Sequence, residues 1–171
     1  NFAHSDFYMV GAFAAFYVAK ILGIENSPGF STLIVLLLVS MIACSLLGLI
    51  IERLAYRPLR KAPKLNILIT AIGVSLLLES SGQVIFGADP KVFPEILPDL
   101  VLAEFGIVQL KSSDVTVLAV SLVAMLVLHW LIHYTKTGKA MRAVSANAAV
   151  ASLMGVNVNR IIAFTFIVGS S

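Results

Sequence analysis

Four apolar runs long enough to cross a membrane dominate the sequence, and a fifth begins near its end. A helix needs about twenty mainly apolar residues to span the hydrocarbon core of a bilayer. Apolar residues make up 59% of the 171 residues and charged residues only 12%, far from the composition of a soluble globular domain. The sequence therefore predicts an all-α integral membrane protein with one transmembrane domain in the lipid bilayer. Its spans are predicted near residues 7–24, 33–51, 65–86, 115–132 and 161–171.

The charges between these runs predict the side of the membrane on which each loop lies. Residues 52–64 and 134–160 carry clusters of lysine and arginine, which is typical of cytoplasmic loops. Residues 25–32 have no basic residue, and residues 87–114 have five acidic residues against two lysines, so both loops are predicted outside. Four spans that start from the cytoplasm place every loop on the side that its charge favours. Loose alternation over Leu100–Leu110 also predicts a short β-hairpin in the second external loop.

The same composition argues against several other classes of protein. Although the net charge is +3, the basic residues gather beside the apolar runs and form no stripe that would favour a nucleic-acid partner. The single Cys44 excludes an intramolecular disulfide and a cysteine-based metal cluster. His4 and Asp6 are too few to complete a metal site, and the sequence has no nucleotide-binding loop, nucleophile elbow or zinc-protease motif. We therefore expect no enzyme, no catalytic residue, no metal and no cofactor.

The two ends of the sequence indicate a piece of a longer polypeptide. It has no initiator methionine and no basic segment before the first apolar run, so no signal peptide is predicted. Its last residues, Gly169, Ser170 and Ser171, come part-way through the fifth run.

The third apolar run is unusually polar, which predicts that one side of its helix faces protein or water instead of lipid. Glu79 is the only acidic residue well inside a run, and an ionisable group at that depth favours a cavity, a transport pathway or a partner. The alternative is that Glu79 lies near the outer surface, bonded to a neighbouring polar side chain or in a helix contact. The sequence leaves both open. Glycines within the runs are most simply positions of close helix packing, namely Gly11, Gly48, Gly73 and Gly82.

Residues 134–160, between the fourth and fifth runs, form the stretch in which function is most expected. Residues 140–154 have no proline or glycine and are rich in alanine, which predicts one helix that stops at Gly155. Such a helix is suited to lying against a surface, either a partner protein or the membrane itself. At helical spacing one face holds Arg142, Ser145, Ala149 and Ser152, and another holds Met141, Val144, Ala148 and Ala151.

Several short blocks occur in order along nearly the whole chain. They are NFAH at 1–4, YMVG at 8–11, ER at 52–53, YRPLR at 56–60, TAIG at 70–73, TGKAMRA at 137–143, and ASLMG at 151–155 with Arg160 and Ala163-Phe164. In these blocks the chain resembles the inner-membrane permease subunit of branched-chain amino acid ABC transporters, with part of the permease missing.

The resemblance implies a multi-pass permease of the cell inner (plasma) membrane that works with other subunits. The implied partners are a second permease subunit, two cytoplasmic ATP-binding subunits, and a periplasmic or extracellular binding protein that delivers leucine, isoleucine or valine. ATP hydrolysis would take place in the partner subunits. In this family a short cytoplasmic helix docks in a cleft of the ATPase and transmits its closure to the spans.

That role falls on the helix predicted at residues 140–155. The general importer pattern there has an acidic residue, two alanines and a later glycine, whereas this sequence has Asn147 in place of the acid and a Gly155 that comes late. The residues expected to couple to the ATPase are Arg142, Ser145, Ala148, Ala149, Ser152 and Gly155. The residues expected to line the transport route are Thr70, Ser75 and Glu79.

Other kinds of membrane protein would keep many of these features. An ATPase-independent secondary transporter or channel would keep the spans and Glu79, although no convincing internal repeat supports it. An intramembrane enzyme would need a catalytic set that His4, Asp6 and Glu79 do not supply. A purely structural membrane subunit is the third alternative.

Overall fold

The computed structural model describes residues 4–23, 29–87, 89–93, 101–105 and 108–171. The chain folds into two units, one made of Asn1–Pro94 with Ala163–Ser171 and the other of Glu95–Ile162. The elements are α1 (His4–Ile21), α2 (Phe30–Ile51), α3 (Lys64–Phe86), β1 (Val101–Phe105), β2 (Val108–Lys111), α4 (Ser112–Tyr134), α5 (Lys136–Ala146), α6 (Ala148–Leu153) and α7 (Val158–Ser170).

Three helices of the described part are long and apolar enough to cross a membrane, namely Phe30–Tyr56, Leu65–Phe86 and Ser112–Tyr134. They cover the second, third and fourth predicted spans, and the first and last of them are longer than predicted. The first predicted span corresponds to α1, which is less apolar, and its last residue, Ile24, lies outside the described residues. The fifth corresponds to α7, a shorter apolar helix.

In the first unit, α1 packs antiparallel to α2 and parallel to α3. Phe7 near the start of α1 lies with Ile51 at the end of α2, and Gly11, one turn later, faces Ser40 and Cys44, so α1 and α2 are antiparallel. Toward α3, the Ser75 Oγ donates a hydrogen bond to Asp6 Oδ2 at 2.6 Å, and the rings of Phe13 and Phe86 stack 4.4 Å apart. Helices α1 and α3 therefore run in the same direction, as the predicted alternation of spans requires.

The predicted close-packing glycines divide into two kinds. A Cβ at Gly11 would lie 2.8 Å from the Cys44 Sγ, one at Gly82 would lie 2.7 Å from the Met9 Cε, and one at Gly48 would collide with Ser170. Gly73 makes no such contact with the described residues, since a Cβ there would meet none of their atoms within 4 Å. Of these glycines, Gly11 is the position that tolerates a larger side chain least, because the neighbouring Cys44 thiol is held in place by a hydrogen bond that it donates to the Phe7 carbonyl oxygen at 3.2 Å.

Replacing Gly11 by leucine is expected to lower the free energy of unfolding of the full-length protein by about 1–3 kcal/mol, because the added side chain forces α1 away from α2. Gly73→Leu is the matched control, with the same gain in helix propensity but open space around the site. The measurement is the thermal unfolding midpoint of both variants in detergent. Equal midpoints would contradict the packing described here.

The basic loop after α2 is more ordered than a plain connection. The chain continues from α2 through a π-helical turn, Glu52–Tyr56, and a 3₁₀ turn, Pro58–Lys61. Glu52 is only 3% exposed and forms an ion pair with Arg60. Pro63 then precedes the first residue of α3, as expected of a residue that cannot continue a helix.

The second unit begins with the strands predicted in the external loop. β1 and β2 are antiparallel, with Val101 opposite Lys111 and Phe105 opposite Val108, while residues 106–107 lie outside the described part. Lys111 also caps the start of α4, and its backbone N–H donates to Asp114 Oδ2 at 3.1 Å. None of the residues of α4 is buried, so its apolar surface is free for lipid or for another subunit.

Candidate functional site

A single residue, Thr135, separates α4 from α5. Thr135 has an extended backbone and caps α5, and its Oγ1 accepts a hydrogen bond from the Gly138 N–H at 3.0 Å. Gly138 is buried, and a Cβ there would collide with the carbonyl oxygens of Leu131 and Ile132 in the last turns of α4. Glycine at this position therefore lets the start of α5 pack directly on the backbone of α4.

The single helix predicted over residues 140–154 is wrong, because the structure breaks it at Asn147. Asn147 has an extended backbone, with φ −159° and ψ 105°, between the end of α5 and the start of α6. Its Oδ1 accepts hydrogen bonds from the N–H groups of Ala149 and Val150 at 3.0 and 3.1 Å. A side chain that satisfies the free N–H groups of a helix start favours a new helix over continuation of the old one.

This geometry shows what changes when asparagine stands at position 147 in place of the acidic residue of the importer pattern. Aspartate and asparagine are about equally good at capping a helix. Asn147 therefore keeps the capping role that an aspartate would have at the start of α6 and omits only the negative charge.

The six predicted coupling residues are all exposed, in α5, in α6 and in the turn that follows. On the other side, Ala151 is buried and Met141 and Val144 are half-buried, so most of the predicted division into two faces holds within each helix. Ala148 is the exception, because the predicted pattern puts it on the same face as the buried Ala151, whereas in the structure it is exposed. The exposed coupling residues are Arg142, Ser145, Ala148, Ala149, Ser152 and Gly155.

The sequence analysis missed an apolar tip at the end of α6. Leu153 is 86% exposed and Met154 is 80% exposed, next to a turn and on no packed surface of the unit. Large apolar side chains held at such exposure are typical of a contact made with something else. The available signal was their place just before Gly155, where the predicted helix stops.

The turn from α6 to α7 is fixed by hydrogen bonds at both ends. The N–H of Gly155 donates to the Ser152 carbonyl at 3.1 Å, and the N–H of Val156 donates to the Ala151 carbonyl at 3.0 Å, which is a Schellman motif. Gly155 takes φ +82°, a left-handed conformation that favours glycine. Asn157 then caps α7, its Oδ1 accepting from the Arg160 N–H at 3.2 Å. Only four residues, 154–157, separate the two helices.

The three predicted pathway residues on α3 lie in three different settings. Thr70 turns its Oγ1 back onto its own helix and donates to the Asn66 carbonyl at 2.8 Å. Ser75 faces α1, where it bonds Asp6, and Asp6 is buried. Glu79 is exposed. The structure therefore brings Ser75 into a contact between helices and leaves Glu79 on the surface.

An open cleft of about 1200 Å³ lies elsewhere in the first unit, along α1. We call it the α1 cleft; it follows one side of α1 from Ser5 to Phe16, with Ser40 and Cys44 of α2 on its wall. The segment after α3 contributes Asp89, Lys91 and Phe93 at one end. The described residues that line it do not include Thr70, Ser75 or Glu79. Sequence analysis missed this cleft, although aromatic residues are unusually frequent in α1.

A comparison with known protein families decides the family of the chain. The sequence model of the family described as "Branched-chain amino acid transport system / permease component" matches residues 1–171. The chain belongs to this permease family. No solved structure matches the permease chain.

Curated relatives of the permease chain come from several bacteria. The high-affinity branched-chain amino acid transport system permease protein BraD of Pseudomonas aeruginosa is 33% identical over the whole chain. The corresponding LivH proteins of Salmonella typhimurium and Escherichia coli K12 are 32% and 30% identical, also over the whole chain. The permease chain spans 57% of the length of each of these relatives.

Family membership confirms the predicted class of protein. The permease chain is a multi-pass protein of the inner membrane, and the relatives named above are transport system permease proteins. Three of its described helices are long and apolar enough to cross that membrane.

Proposed function

We propose that this chain is the transmembrane permease subunit of an ATP-driven importer of branched-chain or related amino acids, and that α6 couples it to separate ATPase subunits. The observation that carries the proposal is the exposed, capped α6, which is joined to α7 by a four-residue turn. The names of the relatives supply the substrate class, since each is a branched-chain amino acid transport permease.

The surface of α6 suits docking into a cleft of an ATPase. Small residues, Ala148, Ala149 and Ser152, allow close approach of another backbone, and Leu153 and Met154 add apolar contact at the tip. Arg142 and Ser145 on α5 extend the exposed surface with a positive charge and a hydroxyl group. Because Asn147 adds no negative charge, docking here depends on fit and apolar contact more than on an ion pair.

The proposed transmission follows the covalent path from α6 into α7. When the ATPase subunits close on ATP, they move α6, and the Schellman turn carries that movement to the first turn of α7 with little slack. At the other end of the segment, Gly138 holds α5 on the backbone of α4. Movement of α6 is thereby transmitted to membrane helices on both sides of the segment.

The proposed assembly contains the subunits that such an importer needs. They are a second permease subunit, two cytoplasmic ATP-binding subunits and a periplasmic or extracellular binding protein that delivers the amino acid. The α1 cleft is the better candidate for part of the route, because an aliphatic side chain needs a mainly apolar passage with a few polar groups. Thr70, Ser75 and Glu79 remain as candidates for a route along α3.

The test is uptake of leucine by the full-length protein, reconstituted in proteoliposomes with its copurifying ATPase subunits and the loaded binding protein. Uptake is expected to require ATP hydrolysis, so a non-hydrolysable ATP analogue should reduce it to background. Uptake that follows an ion gradient without any ATPase subunit would contradict the proposal and would indicate a secondary transporter.

A further inference from the structure

The end of the α1 cleft beside residues 89–93 holds a lysine in an unusual setting. The Lys91 Nζ donates hydrogen bonds to the Tyr17 hydroxyl and to the Phe86 carbonyl, both at 2.6 Å. It also lies 4.9 Å from the ring centre of Tyr17, and 5.7 and 5.8 Å from those of Phe13 and Phe16. Aromatic faces attract a cation and hold it in place.

The charge of Lys91 is not balanced by any of these contacts. Both hydrogen-bond acceptors are neutral oxygens. Within the described residues the ion pair of the chain joins Arg60 to Glu52, far along the sequence from Lys91. An ammonium group has three donors, so two bonds leave one N–H for a further acceptor. A carboxylate would supply both that acceptor and the missing negative charge.

An opposite charge stands two residues away on the same wall. Asp89 is exposed and lines the α1 cleft together with Lys91. Two residues of chain span at most about 7 Å. This spacing allows the two side chains to flank a small ligand that carries both a carboxylate and an ammonium group.

The rest of this end of the cleft is apolar. Phe13, Phe16 and Phe93 line it, and the rings of Phe16 and Phe93 lie 6.3 Å apart. The cleft then continues along α1 past Gly11 toward Ser5, which gives it a volume larger than most single-ligand pockets, at about 1200 Å³. An aliphatic side chain would leave water on entering this end.

We infer that Lys91 and Asp89 bind the two charged groups of a free α-amino acid at the mouth of the α1 cleft, with its aliphatic side chain against Phe13, Phe16 and Phe93. Lys91 takes the carboxylate and Asp89 takes the ammonium group. The inference rests on the proposed function for the identity of the substrate, and it adds the site where that substrate is first held. The part of the cleft along α1 is then the beginning of the route.

The experiment measures inhibition of leucine uptake by two leucine analogues, each lacking one charge, in the reconstituted full-length complex. Leucinamide keeps the ammonium group, and 4-methylpentanoate keeps the carboxylate. For Lys91→Gln, KM for leucine is expected to rise about tenfold or more with kcat little changed, while inhibition by leucinamide is unaltered. For Asp89→Asn, inhibition by 4-methylpentanoate is expected to be unaltered while leucine binds more weakly. Lys20 is an exposed lysine in the last turn of α1, and Lys20→Gln is the matched control. It should leave the KM for leucine and the inhibition by each analogue unchanged.

A purely structural latch at Lys91 predicts a different pattern. It would lower kcat or thermal stability and would weaken leucine and both analogues alike, and that result would overturn the inference. So would normal leucine kinetics in both variants, which would mean that lipid or another part of the polypeptide fills this end of the cleft.

The failure of the proposed function can be recognised separately. Leucine binding to the detergent-solubilised full-length protein is measured by its effect on the unfolding temperature, without ATP or partners. A shift that is lost in Lys91→Gln supports the site even if uptake proves independent of ATP. ATP-dependent uptake with no effect of either substitution keeps the function and removes the site.

Discussion

Gly138→Ala is expected to leave little folded full-length protein. The added Cβ collides with the carbonyl oxygens of Leu131 and Ile132, which are backbone atoms and cannot rotate away as a side chain would. The start of α5 must then separate from α4, at a loss of about 3 kcal/mol or more, against a total stability of only about 5–15 kcal/mol. The measurement is the yield of monodisperse protein in detergent and its unfolding midpoint.

The control for this effect is Gly73→Ala, the same substitution at a helix position with no atom within 4 Å. It is expected to be neutral or slightly stabilising, since alanine favours a helix over glycine by about 1 kcal/mol. If Gly138→Ala were as stable as Gly73→Ala, the close contact between α4 and α5 would not exist in the protein.

Gly155→Val is expected to reduce leucine uptake about tenfold or more while the complex assembles and ATP hydrolysis continues. Gly155 has φ +82°, and a left-handed conformation costs a residue with a Cβ about 1–2 kcal/mol, more for a β-branched one. Each 1.4 kcal/mol shifts a population tenfold. Relief of the strain would break the two hydrogen bonds that close the turn at the end of α6, so hydrolysis would no longer drive transport.

Gly155→Asn separates backbone strain from the loss of a small residue. Asparagine tolerates the left-handed region, and a Cβ at this position meets nothing within 4 Å, so uptake should stay close to that of the unaltered protein. Uptake and hydrolysis are measured in the same vesicles. Uptake by the valine variant equal to that of the unaltered protein would show that the turn plays no part in coupling.

Sequence patterns were sufficient for the elements that local physics specifies. The predicted third span, 65–86, agrees with α3 to one residue at its start, because Pro63 and Gly87 bound it. The strands around residues 101–111 could also be predicted, because two neighbouring strands with alternating apolar residues pair with each other. Helical spacing placed Arg142 with Ser145 and Ala149 with Ser152, and all four residues are exposed.

Other features depended on a choice between local and longer-range interactions. Residues 140–154 have good helix propensity throughout, yet Asn147 ends one helix and starts another, because its side chain competes for the N–H groups of Ala149 and Val150. The helical pattern concealed this cap. An asparagine followed by two alanines was the only sign of it.

The α1 cleft could not be predicted, because it arises from tertiary packing. Lys91 reaches Tyr17 and Phe86 across 74 and 5 positions of sequence, and no periodicity connects them. Ser75 was expected on a pathway for its polarity, but its partner is Asp6, which the sequence analysis had considered only as a metal ligand or a catalytic group. In both cases the partner of a polar side chain was decided by which helices pack together.

The most direct test of the coupling proposal is cross-linking from single cysteines at positions 145, 149 and 152 of the full-length protein to cysteines on the ATPase subunit. Cys44 is first replaced by serine, which keeps a donor for the Phe7 carbonyl, and a cysteine at position 123 on exposed α4 serves as control. We expect cross-links from Ser145, Ala149 and Ser152 whose yield changes when ATP is added, and none from Val123. No cross-link at any of the three, in a complex shown to be intact, would contradict coupling through α6.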